Sequence, residues 1–210
     1  MKTRYLLIGF VCALALGCQK PENTSAKTEN VWGKFAKSVL AAGKAKDADT
    51  FVNKLSMSSV ADLDALLEEL KKANPEVEFE ENAERPTDAE IRKEAEANVR
   101  LFMNSYADVF DGGGELFSVI TAQFPETRGT NIYSLIIWAK QSDGKFRGIK
   151  VDSVWKKDDG TIKVMTWTQL SGYEASKGAI SKKAILERDT AEACNYPEWI
   201  QYKTVFTDPN

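Results

Sequence analysis

Apolar residues recur at helical spacing through the first half of the chain and at strand spacing through the second. Trp32, Phe35, Val39 and Ala42 repeat every three or four positions, which predicts an amphipathic helix over 31–43. Asp47 is placed to cap a short helix carrying Phe51, Val52 and Leu55. Ser59, with Asp62 three places on, starts a third helix. Its stripe is Val60, Leu63, Leu67 and Leu70, and Asn74-Pro75 stops it. "VEFEEN" alternates as a short edge strand would, with Val77 and Phe79 inward. Thr87 and Glu90 then form a capping box ahead of the clearest helix, about 87–111. Its face runs Ile91, Ala95, Val99, Phe102, Tyr106 and Val109, and "DGGG" at 111–114 ends it.

From residue 115 the period shortens to two. Strands are expected at 115–123, 132–141, 146–156 and 161–170, and "EWIQYKTVF" reads as a last strand. Asp-Gly pairs in "SDGK" (142–145) and "DDGT" (158–161) mark hairpins. If Asp159-Gly160 is a two-residue loop, Trp155 faces Val164. One face then collects Ile149, Val151, Trp155, Ile162, Val164 and Leu170, and the other Lys150, Asp152, Lys163, Trp167 and Gln169. A three-residue loop pairs Trp155 with Lys163 and mixes the two sets, so the two-residue loop is preferred. Helices followed by an antiparallel meander of four or more strands (115–170) predict an α+β fold with helices on one face of a sheet.

The N-terminus follows different rules. Lys2 and Arg4 precede an apolar run, Leu6–Leu16, too short to span a bilayer, which needs about 20 residues. Ala15 and Gly17 stand before Cys18, in the layout of a secretory signal peptide covering 1–17. "LALGC" resembles the lipobox of bacterial lipoproteins, with alanine at 15 where leucine is commoner. The resemblance implies cleavage before Cys18, acylation of that cysteine and a membrane lipid anchor. Gln19, rather than an inner-membrane-retaining aspartate, implies the outer membrane. "QKPENTSAKTEN" has no apolar period and reads as a tether over 18–30, reaching at most about 40 Å. Residues 31–210 are then one domain, with 171–210 an extension whose turn chemistry is weak.

Composition narrows the chemistry. Removing residues 1–17 takes two cations and no acid, leaving a net charge of −5 from the whole chain's −3. That balance argues against nucleic acid or an anionic membrane as partner. There is no histidine in the chain, which removes Ser-His-Asp triads, Cys-His pairs and histidine metal sites. Cys194, the thiol left once Cys18 is acylated, has no imidazole to activate it and reads as a small core residue. Five glutamates at 76–84 lack the Asp-rich loop and turning glycine of a calcium site and read as a solvated edge. No cofactor or metal is expected.

Residues 34–56, "KFAKSVLAAGKAKDADTFVNKLS", resemble the opening of NTF2-like domains, in which an aromatic-bearing helix ends in a small-residue turn before an acid-capped helix with a buried Phe. The helix at 59–73 and the long tail depart from that pattern. The resemblance implies a cone between helices and sheet whose mouth takes a small molecule, peptide or subunit. A non-catalytic envelope lipoprotein binding a ligand or protein partner is therefore expected. Lys150, Asp152, Trp167 and Gln169 are its candidate contacts, and no residue is assigned a catalytic role. Two other readings are a carboxylate-dependent hydrolase of envelope glycans, with Asp108, Asp111 and Asp152 as its candidates, and a structural assembly factor. A ligand pocket, a paired-acid cleft or a large exposed apolar patch would separate the three. For Trp167 the competing reading is burial under the C-terminal tail.

Overall fold

A computed structural model describes residues 31–76, 85–123, 130–167 and 201–207. The fold is α+β. Helices α1 (Val31–Lys44), α2 (Ala48–Thr50), α3 (Val60–Ala73), α4 (Asp88–Ser105) and α5 (Ala107–Asp111) precede strands β1 (Glu115–Gln123), β2 (Ile132–Lys140), β3 (Phe146–Lys156), β4 (Ile162–Val164) and β5 (Gln201–Thr207). The sheet is antiparallel in the order β4-β3-β2-β1-β5. The expected last strand is β5, which returns to pair with β1, placing Thr207 opposite Ser118. "VEFEEN", Cys18, Gln169, Leu170 and Cys194 lie outside the described residues.

The helix starts follow their capping chemistry. Asp47 accepts from the Thr50 amide and Ser59 from the Asp62 amide. Thr87 and Glu90 close a reciprocal box, the Glu90 carboxylate accepting from the Thr87 amide at 2.8 Å. Those contacts, led by the Thr87 backbone, hold the Glu90 carboxyl below its usual range. The 87–111 helix departs from expectation in breaking at Tyr106 (φ −111°, ψ 19°), which ends α4 and starts α5. After α2 the chain widens into one π turn, Phe51–Leu55, closed by the Ser56 amide on the Phe51 carbonyl at 2.9 Å.

The core lies between the helices and one face of the sheet. α1 contributes Phe35, Ala36 and Val39, and α4 contributes Val99, Phe102 and Tyr106. They meet Val119, Leu135, Ile137, Ile149, Val151, Val154 and Val164. Gly43 is where α1 and α5 touch: a Cβ there would fall on the Phe110 ring. The other sheet face is buried too, at Ile120, Ile136 and Trp138, with Gly148 leaving room for the Trp138 ring opposite it.

α3 covers one end of that second face. Its buried residue is Leu66, with Leu63 and Leu70 half-buried around it, so the stripe runs 63-66-70 rather than through Leu67. They pack on Met57, Ile132 and Trp155. Glu69 fixes the contact, accepting from the Trp155 indole N–H at 2.8 Å and the Asn131 amide at 2.9 Å.

The β3–β4 hairpin corrects the sequence reading. Trp155 pairs with Lys163, and Val154 with Val164. The loop has three residues: Lys157 donates to the Thr161 carbonyl at 2.8 Å, and Gly160 is left-handed at φ 82°. The rejected register works because β3 holds an extra residue. Its pairing to β2 shifts between Tyr133 and Leu135, and Ser153 sits at φ 51°. Val151 and Val154 thereby share the core face, and Trp155 turns to the other.

Candidate functional site

Lys150 and Asp152 precede the β3 bulge. Since Ile149 and Val151 are in the core, strand alternation puts both on the second face of the sheet. They form an ion pair at 3.4 Å, with 14% and 23% of their side chains exposed.

Trp167 is not with them. β4 ends at Val164, and the chain bends through residues 165 and 166 so that the strand period no longer applies. Trp167 enters the core on the helix side. Its ring lies 4.6 Å from Phe102 and 5.0 Å from Phe51, and its indole N–H donates to Ser56 Oγ at 2.7 Å. It is 2% exposed. The expected surface platform of Trp167 opposite Asp152 is therefore corrected: Trp167 is a core residue, and the sheet separates it from the Lys150–Asp152 pair. Gln169, the fourth candidate, falls outside the described residues.

One residue the sequence reading placed only on a helix face reaches this pair's backbone. Tyr106, at the α4–α5 break, donates its hydroxyl to the Lys150 carbonyl at 3.3 Å and accepts from the Lys150 amide at 3.1 Å. Among the described residues β4 pairs with β3 from Val154 to Lys156, so the hydroxyl stands where a neighbouring strand's backbone would otherwise be. Burial raises the phenol's pKa far above its ordinary value, helped by the Asp152 charge, so it stays protonated and can donate. Its position in an apolar stripe was legible; its hydrogen bonds to a strand 44 residues on were not.

The candidate carboxylates do not share a cleft. Asp108 meets Arg147 at 3.2 Å, Asp111 meets Lys46 at 3.2 Å and Asp152 meets Lys150. Each acid has its own cation, and no group of three metal-ligating side chains occurs among the described residues. Glu69 was also missed. Its signal is an acid six places after Leu63 and three after Leu66, on the buried stripe of α3. With burial as the main cause, the Glu69 charge also raises the Tyr133 phenol.

The interior between α4 and the sheet, where the NTF2-like resemblance implies an open cone, is filled by Phe51, Phe102, Tyr106, Phe110 and Trp167. The described depressions are on the outside. One of about 260 Å³ lies between α2 and α4, lined by Asp49, Val52, Glu96 and Arg100, and another of about 360 Å³ lies beside α1, lined by Lys37, Leu40, Lys44 and Leu116. Leu101, 44% exposed, is the large apolar side chain left to solvent among the described residues. No helix among them is long and apolar enough to cross a membrane. No family model, curated protein or solved structure matches this chain.

Proposed function

We propose that the protein is a lipid-anchored protein of the bacterial envelope, held through Cys18, most simply in the outer membrane, whose α+β domain is a non-catalytic module for a protein partner. The observation that carries the anchor is "LALGC" followed by a polar stretch that ends where α1 begins at Val31. A macromolecular partner is favoured over a small ligand because aromatic side chains fill the space between α4 and the sheet. Hydrolysis by paired carboxylates loses its support, since Asp108, Asp111 and Asp152 are engaged by three different cations.

The test is Cys18→Ser in cells fed a labelled fatty acid. The parent protein is expected to carry label at Cys18 and to fractionate with membranes, while the variant is unlabelled and remains as precursor or becomes soluble. A variant with the same label, gel mobility and membrane fraction as the parent rejects the anchor.

A further inference from the structure

The charges are sorted among the helices. α3 carries Asp62, Asp64, Glu68 and Glu69 against Lys71 and Lys72. α4 carries Asp88, Glu90, Glu94 and Glu96 against Arg92, Lys93 and Arg100. α1 carries Lys34, Lys37 and Lys44 and no acid at all. In a chain of net charge −3, this helix is wholly basic. Lys34, Lys37, Ala41 and Lys44 fall three or four places apart on one exposed stripe, with Ser38 beside Lys37, opposite the buried Phe35, Ala36 and Val39. The residues between the lysines on that stripe are small, so no bulky side chain holds a flat surface away from the ammonium groups. Among the described residues two acids lie close by, Glu115 lining the same depression as Lys37 and Lys44 and Asp111 holding Lys46, and Lys37 has a further partner of its own.

Sequence position supplies the second argument. α1 starts immediately after the tether, so its lysines are the domain charges nearest in sequence to Cys18. We infer that the lysine face of α1 rests on anionic lipid headgroups of the leaflet that holds the acyl chain. The inference rests on the anchor reading above. A tether raises the effective concentration of domain at surface, so weak contacts suffice. Ammonium groups within a Debye length of about 8 Å then attract an anionic leaflet. The rest of the acidic domain is repelled, which selects the orientation with α1 down. The net negative charge that argues against an anionic membrane for the whole chain thus becomes the reason that one face is chosen.

The experiment uses the acylated protein, purified from membranes and reconstituted into vesicles of phosphatidylcholine alone or with phosphatidylglycerol. Lysines are acetylated with an amine-reactive reagent and read by mass spectrometry. On anionic vesicles Lys34, Lys37 and Lys44 are expected to react several-fold more slowly than on neutral ones, while Lys71 and Lys93 are unchanged. High salt should remove the difference. The double variant Lys34→Glu, Lys44→Glu, with an unfolding midpoint like the parent's, should label Lys37 equally on both vesicles. Equal labelling of the parent on both overturns the inference, as does uniform slowing that includes Lys71 and Lys93. Protection in native envelopes without protection on anionic vesicles overturns it in favour of an acidic protein. Failure to associate with either vesicle overturns the anchor reading and this inference with it.

Discussion

The chain makes the same turn twice, with different consequences. Gln141 donates to the Lys145 carbonyl around Ser142-Asp143-Gly144, and Lys157 donates to the Thr161 carbonyl around Asp158-Asp159-Gly160. The glycines are left-handed at φ 78° and 82°, and in each turn the aspartate accepts from the amide two places on. At the first turn the apolar alternation of β2 and β3 leads to the observed pairing without interruption, Ile137 opposite Ile149 and Trp138 opposite Gly148. At the second, the β3 bulge has already reversed the alternation, so the apolar pattern points to the wrong loop length. Asp-Gly marks where a hairpin turns. Its register depends on what happens to the strand before it.

The largest expected effect at this second hairpin is at Trp167, which the bend after Val164 turns into the core. As a core residue between Phe51 and Phe102, Trp167→Ala should cost about 3–5 kcal/mol in chemical denaturation. A loss under about 0.5 kcal/mol, the usual size for a surface site, would restore the exposed platform. Quenching of its fluorescence by a soluble quencher should be weak for the same reason.

Tyr106→Phe comes next. It removes the hydroxyl that satisfies the Lys150 amide and carbonyl and leaves the ring in place. Leaving these half-buried backbone groups without that partner should cost about 1–3 kcal/mol. The amide exchange of Lys150 should accelerate more than that of Ile137, which lies inside the paired β2–β3 region. Equal acceleration would mean that the hydroxyl does not hold this edge.

The fold was legible where local rules and global packing agree. Caps at Asp47, Ser59 and Thr87, the bounds of β1 and β3, and the core face of α4 all follow from patterns a few residues long. The candidate site was less so. Lys150 and Asp152 do lie together, because residues two apart on a strand share a face. Parity counted across Ser153 and past Val164 puts Trp167 beside them, and that count fails. A residue at positive φ and a bend each break the count, and a serine gives no sign that it will be left-handed. Tyr106 and Glu69 act across 44 and 86 residues of chain, distances over which periodicity carries no information.

If the two turns are equivalent, their glycines should be too. A Cβ at Gly144 meets nothing, and one at Gly160 meets Val31 at an ordinary 3.6 Å. Gly144→Ala and Gly160→Ala should therefore each cost only the left-handed backbone penalty, about 1–2 kcal/mol. A clear inequality between the two denaturation midpoints would show that the turns are not the same device.

The smallest effect is acid-dependent and sits in the second turn. The Thr161 amide, donating to Asp159 Oδ1 at 2.8 Å, holds the Asp159 carboxyl below its usual range, with the Thr161 hydroxyl and the Lys157 charge adding to it. A carboxyl whose pKa is lower folded than unfolded binds fewer protons in the native state, so stability falls as pH falls. The contribution is complete above the unfolded value, near 4, and disappears as acid titrates the folded carboxyl beneath it. Because the group is fully exposed, the effect on the midpoint should be slight and is better read directly. In a carbon-detected NMR titration the Asp159 side chain should titrate below an unstructured aspartate, and Thr161→Ala, which removes the hydroxyl and keeps the amide, should return only part of the shift. Full return would place the hydroxyl, not the backbone N–H, at the centre of the turn. An unshifted titration in the parent would mean that the Asp159–Thr161 contact does not form in solution, and the likeness of the two turns would then reduce to their glycines.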